Sequence, residues 1–228
     1  MGAELVQTGG ALALPRHSDP TRSVVLLTQP DSEAAEAIRA VRTRVVTQHV
    51  RAGRRSLAIC SVAPSARGAF VAANLAVAMA QVDVRTLLVD ADLRFSPVAE
   101  MLGLDSDSPG LADVLSNDEL DPSDVVQQMP LHTLSVITAG RDAQAGAEHI
   151  ASPRFAAIAN RYMREHELTI FNTTPSNRSA DGQRVASVAG YALLVARKDQ
   201  SFVRDIGTLA DALKADGATI AGSVLLAD

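Results

Sequence analysis

Disulfides, membrane spans and nucleic-acid surfaces all lack support in this sequence of 228 residues. It contains a single cysteine, Cys60, so no internal disulfide can form, and the apolar run around it favours a small core residue over a nucleophile. Aromatic residues make up only 3% and the net charge is -5, which argues against nucleic acid as the main partner. No apolar run reaches the roughly 18–20 residues that a membrane-spanning helix needs. The single thiol and the lack of a recognisable signal peptide predict a cytoplasmic protein without direct membrane insertion.

Several kinds of catalytic site are missing as well. The five histidines lie far apart and, together with the single cysteine, show none of the spacings of a zinc site. No Gly-x-Ser-x-Gly sequence occurs. Internal repeats and low-complexity tracts are absent. The sequence therefore gives no support to a zinc enzyme, a serine hydrolase of that type or a repeat protein.

The composition is that of a chain that can build a substantial core. Hydrophobic residues make up 47% and charged residues 21%, proportions that suit one sizeable α/β domain. Residues 1–22 mix glycine, proline and scattered charges without a period, so we predict a flexible N-terminal tail there. We predict a single domain over residues 23–228.

Short apolar strands alternate with helical segments throughout that domain. Strands are predicted at 23–28, 56–61, 86–90, 133–138, 168–172, 191–196 and 219–226. Helices are predicted at 31–52, 70–82, 108–116, 152–166, 180–190 and 201–217. This alternation predicts a mainly parallel central sheet covered by helices on both faces, a three-layer α/β sandwich. In such sheets, ligands bind beyond the carboxyl ends of the strands.

The loop after the strand at 56–61 has the setting of a phosphate-binding loop. The sequence APSARGAFVAANLA, residues 63–76, lies between the apolar run SLAICSV and a helical pattern of small residues. A phosphate loop needs glycines for its backbone, a lysine for the phosphates and a hydroxyl for Mg²⁺. This loop contains one glycine, no lysine, and neither serine nor threonine at the start of the helix. It raises the question of whether the fold has been kept without its nucleotide.

A series of stretches along residues 29–226 carries a family resemblance. In chain order they are SEAAEAIRAVRTR, PSARGAFVAANLAVAMAQ, TLLVDADLR, GLADVL, the AG at 139–140, LTIFNTTP and GATIAGSVLL. One such match would be weak, but the ordered set is specific. Together they resemble the bacterial tyrosine-kinase family of capsule and exopolysaccharide assembly. The resemblance implies a P-loop NTPase-like fold, in which active members bind ATP and Mg²⁺.

The nucleotide loop departs from the family pattern. Where family members read Pro-Gly-Glu-Gly-Lys-Ser-Thr, this chain has Pro64, Ser65, Ala66, Arg67, Gly68, Ala69 and Phe70. Gly68 thus replaces the lysine, Ala69 the hydroxyl, and bulky Phe70 the next position. We interpret Arg67 as a surface arginine; the alternative is that it substitutes for the lysine from one residue earlier. With these changes, the resemblance implies that no nucleotide cofactor is bound.

Of the family's acidic motifs, one is kept and one is changed. In the family, the aspartates of the VDADLR stretch, here Asp90 and Asp92 followed by Arg94, help to bind Mg²⁺ and to activate the attacking hydroxyl. In this chain they are either a vestigial metal site or acceptors for loop N–H groups. Asn172 stands where the family has an aspartate that supports the metal through water. A neutral amide holds Mg²⁺ more weakly, and we interpret Asn172 as capping the turn after its strand.

The chain lacks the tyrosine cluster that active family members phosphorylate, whereas an assembly motif is complete. Active family members carry a cluster of tyrosines beyond the last strand, but this chain has only Tyr162 and Tyr191, both within predicted elements. Glu36, Arg39 and Arg42 match the family's Glu-x-x-Arg-x-x-Arg helix, which joins neighbouring subunits into a ring. Their spacing of three residues places them on one helix face. We predict self-assembly into a homo-oligomer through this face; the alternative is a solvated surface with internal ion pairs.

Three functions remain as hypotheses. The first is a non-catalytic relative of these kinases, peripheral to the inner membrane because it docks on a polysaccharide co-polymerase, the chain-length determinant protein. The second is a divergent ATPase or protein-tyrosine kinase that uses Arg67, Asp90 and Asp92 with ATP and Mg²⁺. The third is a positioning ATPase of the Min and Par type. Members of that type carry a further lysine where this chain has Ala63.

Overall fold

The computed structural model describes residues 4–8, 12–16, 24–63, 67–95, 97–141, 143 and 147–227. Its helices are α1 Val25–Thr28, α2 Glu33–Gln48, α3 Arg67–Ala80, α4 Val98–Leu102, α5 Leu111–Ser116, α6 Pro153–Glu165, α7 Asp181–Ala189 and α8 Val203–Ala215. Its strands are β1 Glu4–Thr8, β2 Leu12–Arg16, β3 Ser56–Ser61, β4 Thr86–Ala91, β5 Gln127–Gln128, β6 Leu134–Ile137, β7 Leu168–Thr173, β8 Tyr191–Arg197 and β9 Thr219–Leu226. The predicted α/β class is confirmed.

The main sheet has seven strands in the order β5-β6-β4-β7-β3-β8-β9. Its neighbouring strands are parallel except for β5, which pairs antiparallel with β6. Strand β7 lies between β4 and β3, although it comes long after both in the chain. This order brings the carboxyl ends of β3, β7 and β4 side by side, at the edge where parallel sheets bind ligands.

Two apolar layers enclose the sheet. Every residue of β3, β4 and β7 is buried, as expected for central strands covered on both faces. Successive side chains alternate between the layers: Leu57 and Ile59 pack with α2 and α3, whereas Ala58 and Cys60 pack with α5 to α8. Cys60 is therefore a core residue, as predicted, and burial raises the pKa of its thiol to about 12.

Helix α2 begins close to where the sequence predicts, but it ends at Gln48, before the predicted end at residue 52. The Ser32 side chain caps it by accepting a hydrogen bond from the backbone N–H of Ala35 over 3.2 Å. After Gln48 a short 3₁₀ turn leads to Gly53, whose φ of 76° is a left-handed conformation that suits glycine. Among the described residues, none of the helices has the length and apolar character that a membrane crossing demands.

The predicted strand at 23–28 is wrong. Val25–Thr28 instead form the single helical turn α1. Val24, Val25 and Leu26 are buried in the layer that contains α2 and α3. Their side chains favour a strand only weakly, and burial against two helices outweighs that preference.

Four short elements lie outside the predicted pattern. Strands β1 and β2 form an antiparallel pair, with Glu4 opposite Arg16, inside the segment 1–22 for which we predict a flexible tail. The rest of that segment lies outside the described residues, so its boundary stays a prediction. Helix α4 and strand β5 were not predicted, because five and two residues are too few to give a periodic pattern.

Candidate functional site

The candidate site lies at the carboxyl ends of β4 and β7. These strands run parallel with Asp90 and Asn172 as direct partners in the register. The Asn172 side chain donates a hydrogen bond from Nδ2 to Oδ1 of Asp90 over 2.8 Å. Both residues are fully buried. Asn172 therefore does not cap the turn after its strand, as the sequence suggested, because its amide is directed at the carboxylate of the neighbouring strand.

Asp90 is surrounded by hydrogen-bond donors. Its Oδ1 also accepts from the backbone N–H of Asp92 over 3.2 Å, and its Oδ2 accepts from that of Val98 over 3.4 Å. Complete burial withdraws the carboxylate from water and raises its pKa to about 7, against the lowering effect of the hydrogen bond from Asn172. The negative charge of Asp92 raises the pKa further. Near neutral pH, Asp90 is therefore divided between its protonated and charged forms.

Asp92 and Arg94 are held by the neighbouring loops. Thr174 Oγ1 donates to Oδ1 of Asp92 over 2.9 Å, and the backbone N–H of Arg94 donates to the same oxygen over 3.3 Å. Burial raises the pKa of Asp92, and the hydrogen bond from Thr174 opposes this shift. The Arg94 guanidinium forms an ion pair with Asp181 over 3.0 Å. Both aspartates thus accept loop N–H groups, as one interpretation of the sequence requires, and the vestigial metal site stays a prediction.

The phosphate-loop region reaches the same cluster through the first turn of α3. Pro64, Ser65 and Ala66 lie outside the described residues, and the helix begins at Arg67. A Cβ atom placed on Gly68 would lie 3.3 Å from Ser61 Oγ and 3.9 Å from Asn172 Oδ1. Position 68, where the family has its lysine, therefore borders directly on the buried polar pair.

The described residues do not fit a triphosphate with Mg²⁺. Gly68, Ala69 and Phe70 supply neither a cation nor a hydroxyl, and all three are buried. At Asp90, Oδ1 already accepts the N–H of the Asn172 amide, and Oδ2 accepts the backbone N–H of Val98. Within the described ranges, no group of three or more histidine, cysteine, aspartate or glutamate side chains could hold a metal ion. In the described residues, the side chains of Asp90 and Asp92 are instead hydrogen-bonded to neighbouring protein groups.

The assembly motif lies on α2, an element that contributes nothing to this cluster. Glu36 is exposed, and its Oε2 lies 3.2 Å from Nη1 of Arg39 in an i,i+3 ion pair. Arg42 follows one turn later and is partly exposed. Such surface pairs contribute only a few tenths of a kcal/mol to the stability of the fold, so stability alone does not explain why the motif is complete. Self-assembly through this face stays a prediction.

Three side chains of the site were not predicted from the sequence. Ser61 ends β3 and faces Gly68, Thr174 follows β7 and holds Asp92, and Asp181 begins α7 and pairs with Arg94. Ser61 and Thr174 are polar residues at or just after the end of a buried strand. That position is the signal that could have found them, once the neighbouring strands were known.

Gly182, in the first turn of α7, allows this helix to approach the loop that carries Thr174. A Cβ atom on Gly182 would lie 2.6 Å from the backbone oxygen of Thr174 and 3.2 Å from Thr173 Oγ1. Backbone atoms cannot move away from the new Cβ atom without distorting the loop. Gly182→Ala is therefore expected to lower the free energy of unfolding, measured by urea denaturation, by about 2–3 kcal/mol. The control is Gly207→Ala, where a Cβ atom meets nothing within 4 Å. Equal losses in the two variants would contradict this account.

Two curated relatives are both described as putative tyrosine-protein kinases. CapB of Staphylococcus aureus is 27% identical over 197 residues, which cover 86% of this chain and 86% of CapB. EpsB of Ralstonia solanacearum is 30% identical over 177 residues, which cover 78% of this chain but only 23% of EpsB. The chain thus spans most of CapB and about a quarter of EpsB. No protein-family model matches it.

Solved structures agree with these relatives. The chimerical protein CapA2B2 matches with a TM-score of 0.80 and 26% identity, covering 93% of both chains. The kinase domain of the Escherichia coli tyrosine kinase ETK gives 0.82 and 25%, covering 93% of this chain and 82% of that domain. The septum site-determining protein MinD of Pyrococcus horikoshii, complexed with Mg-ADP, gives 0.67 and 20% over 75% of this chain and 69% of MinD, a likeness of fold alone. The chain therefore belongs to the bacterial tyrosine-kinase family of capsule and exopolysaccharide biosynthesis, which has the P-loop ATPase fold.

Proposed function

We propose that the chain is a non-catalytic member of this family. In this proposal it is a cytoplasmic component of exopolysaccharide biosynthesis and export that self-assembles and docks on an inner-membrane polysaccharide co-polymerase. The observation that carries the proposal is the hydrogen bond of 2.8 Å from Asn172 Nδ2 to Asp90 Oδ1. A Mg²⁺ site needs a charged carboxylate that is open to the cation, whereas Asp90 is buried with a pKa of about 7.

The absence of the lysine matters because positive charge is one of the two main contributions that a protein makes to phosphoryl transfer. The protein contributes position and positive charge to this reaction, while the phosphates and the metal supply the reacting groups. At Gly68 the first turn of α3 offers a backbone N–H where a lysine would neutralise the β- and γ-phosphates. Ala69 likewise offers no hydroxyl to the metal. We expect both nucleotide affinity and turnover to fall together, since the same missing groups serve ground state and transition state.

A family member without turnover can still act by binding. Helix α2 carries the complete set of Glu36, Arg39 and Arg42, and two guanidinium groups on one face can take acidic groups of a neighbouring copy. The co-polymerase would supply the membrane anchor, and this chain would lie on its cytoplasmic side. A co-polymerase gene beside the gene of this chain would support that part of the proposal.

Calorimetric titration with ATP and Mg²⁺ tests the nucleotide part directly. We expect no saturable heat of binding at ATP concentrations up to about 1 mM, and the same for ADP. A dissociation constant above 1 mM corresponds to a binding free energy of less than about 4 kcal/mol. ATP hydrolysis should equally be undetectable. Micromolar binding, together with hydrolysis that disappears in Asp90→Ala, would overturn the proposal.

A divergent ATPase or protein-tyrosine kinase is the second candidate. It is favoured by the presence of both Asp90 and Asp92 at the carboxyl end of β4 and by the fold shared with MinD, which was solved with Mg-ADP. In this reading Arg67 takes the place of the lysine. Arg67→Ala should then abolish ATP binding, whereas Arg184→Ala, on an exposed part of α7, should leave it unchanged. A positioning ATPase of the Min and Par type rests on the shared fold alone.

A further inference from the structure

Strand β9 forms one border of the main sheet. In the described part of the chain it pairs only with β8, in parallel, from Thr219 to Leu226. Every second backbone N–H and C=O group of a border strand points away from its partner, so β9 presents a row of unpaired donors and acceptors. The other border, β5, is only two residues long. Of the two borders, β9 is the one long enough to accept another strand.

Strand β9 lacks the features that keep border strands from associating. Its sequence TIAGSVLL contains neither a charged residue nor a proline. Its exposed residues are Thr219, Ala221, Ser223 and Leu225. Leu225 is 67% exposed, so the strand presents a large apolar residue to solvent. A bulge near the first residues of the strand is its only irregularity.

Helix α8 adds an apolar flank beside this border. Its buried residues Leu209 and Leu213 pack with the layer of the sheet that also contains Ile220 of β9. One flank of α8 lines a groove next to α7 with Asp205, Thr208 and Ala212. By helical spacing, the opposite flank consists of Val203, Ile206 and Ala210. Val203 is 84% exposed, whereas Ile206 and Ala210 are partly buried against the same layer as Ile220, so this flank is apolar and open to solvent at Val203.

We propose that β9 and this flank of α8 bind a second copy of the chain. In the dimer, the two β9 strands pair antiparallel about a two-fold axis at Ser223, so that the sheet continues from one copy into the other. Val224 then lies opposite Gly222 of the second copy. Both positions face the layer of α2 and α3, because they pair with Val195 and Leu193, which lie in that layer. The α8 flanks meet across the junction on the other face of the sheet.

A second copy fits this surface better than a partner of different chemistry. A two-fold interface requires a surface that is complementary to itself. Two antiparallel copies of β9 satisfy each other's backbone groups and place no like charges opposite one another. An acidic or basic segment would find no opposite charge on this strand. Pairing also covers Leu225 and Val203 on both copies, which removes their apolar surface from water.

Cysteine substitution tests the register of the dimer. Cys60 is buried and its thiol has a pKa of about 12, so the native chain serves as a silent background. Opposite residues in antiparallel strands have Cα atoms about 4.5–5.5 Å apart, within the range of a disulfide. Ser223→Cys is expected to form an intermolecular disulfide under mild oxidation, seen as a dimer on a non-reducing gel. Thr219→Cys is expected to form none, because its two copies would lie about 27 Å apart.

Mass measurement by light scattering provides an independent readout. In Val203→Lys/Leu225→Lys, charged side chains replace apolar residues that the pairing would cover, and the dissociation constant of the dimer should rise about tenfold or more. Val82→Lys, at another exposed apolar residue, should leave association unchanged. Arg39→Glu/Arg42→Glu should leave the Ser223→Cys disulfide intact, which separates this interface from assembly through α2. A native chain that is monomeric at every concentration, or equal cross-linking at positions 219 and 223, would overturn the proposal.

Discussion

Asp90→Asn is expected to raise the free energy of unfolding at pH 8 by about 2–4 kcal/mol. Burial gives the folded carboxyl group a pKa of about 7, whereas aspartate in an unfolded chain ionises near pH 4. Each pKa unit corresponds to about 1.4 kcal/mol. At pH 8 the native chain therefore carries a buried charge, which asparagine removes while its Oδ1 still accepts from Asn172. Urea denaturation of both proteins at pH 8 measures the difference.

The pH dependence of this stability difference tests whether the buried charge of Asp90 is its cause. Because the pKa of Asp90 is raised on folding, the stability gained from its protonated form is present in full below about pH 4 and is lost as the pH rises through about 7. The advantage of Asp90→Asn should grow across this window and level off above it. Asp118→Asn, whose side chain is 87% exposed, should change stability by less than about 0.5 kcal/mol. Destabilisation by Asp90→Asn at pH 8 would refute a buried charge at this position.

The layers of the fold follow from local patterns. The central strands β3, β4 and β7 are continuous apolar runs, and a run that is buried on both faces belongs in a parallel sheet. Helix α6 was predictable from Ser152 and Pro153, and the Ser152 side chain accepts from the backbone N–H of Phe155 over 3.3 Å. These signals are local, because propensity, capping and periodicity act within a few residues. The strand predicted at residues 23–28 is wrong for the same reason, because the conformation of α1 is set by contacts with two other helices and not by local sequence.

The site was only half predictable for a related reason. Asp90, Asp92 and Asn172 could each be singled out, because each lies at or just after the end of an apolar run. Their roles depend on which strands are neighbours, and the order β4-β7-β3 has no trace in local sequence. The contact between Asn172 and Asp90 could therefore not be predicted, and local sequence alone favours a turn-capping role for Asn172. Thr174 was missed because a threonine after a strand is common unless the aspartate beside it is known.

The two main departures from the family pattern compensate each other electrostatically. A site with the family's lysine and its third carboxylate has one positive and one negative charge more than this cluster. Losing the lysine at position 68 alone would leave three carboxyl groups in a buried region without that cation. Replacing the third carboxylate by Asn172 removes one of them and supplies a donor to Asp90. This compensation supports the proposal that the site is non-catalytic.

Asn172→Asp reverses one half of this compensation and is expected to lower the free energy of unfolding at pH 8 by about 3–5 kcal/mol. The change replaces the N–H donor 2.8 Å from Asp90 by a carboxylate oxygen, so two acceptors and two charges meet in a buried space. One proton shared between the two carboxyl groups relieves the repulsion, and the loss should therefore be smaller at pH 5 than at pH 8. Urea denaturation at the two pH values measures both effects.

Two further variants decide whether the charge is the cause. Asn177→Asp makes the same chemical change at an exposed position and should alter stability by less than about 0.5 kcal/mol. Gly68→Lys/Asn172→Asp adds a cation whose Cβ atom starts within 4 Å of position 172, and it should recover part of the stability lost by Asn172→Asp. Mg²⁺ should stabilise the double variant and not the native chain, because only the former offers a third carboxylate, beside Asp90 and Asp92, to the ion. If Asn172→Asp were as stable as the native chain at pH 8, then burial would not be what sets the pKa of Asp90, and the compensation between positions 68 and 172 would have no physical basis.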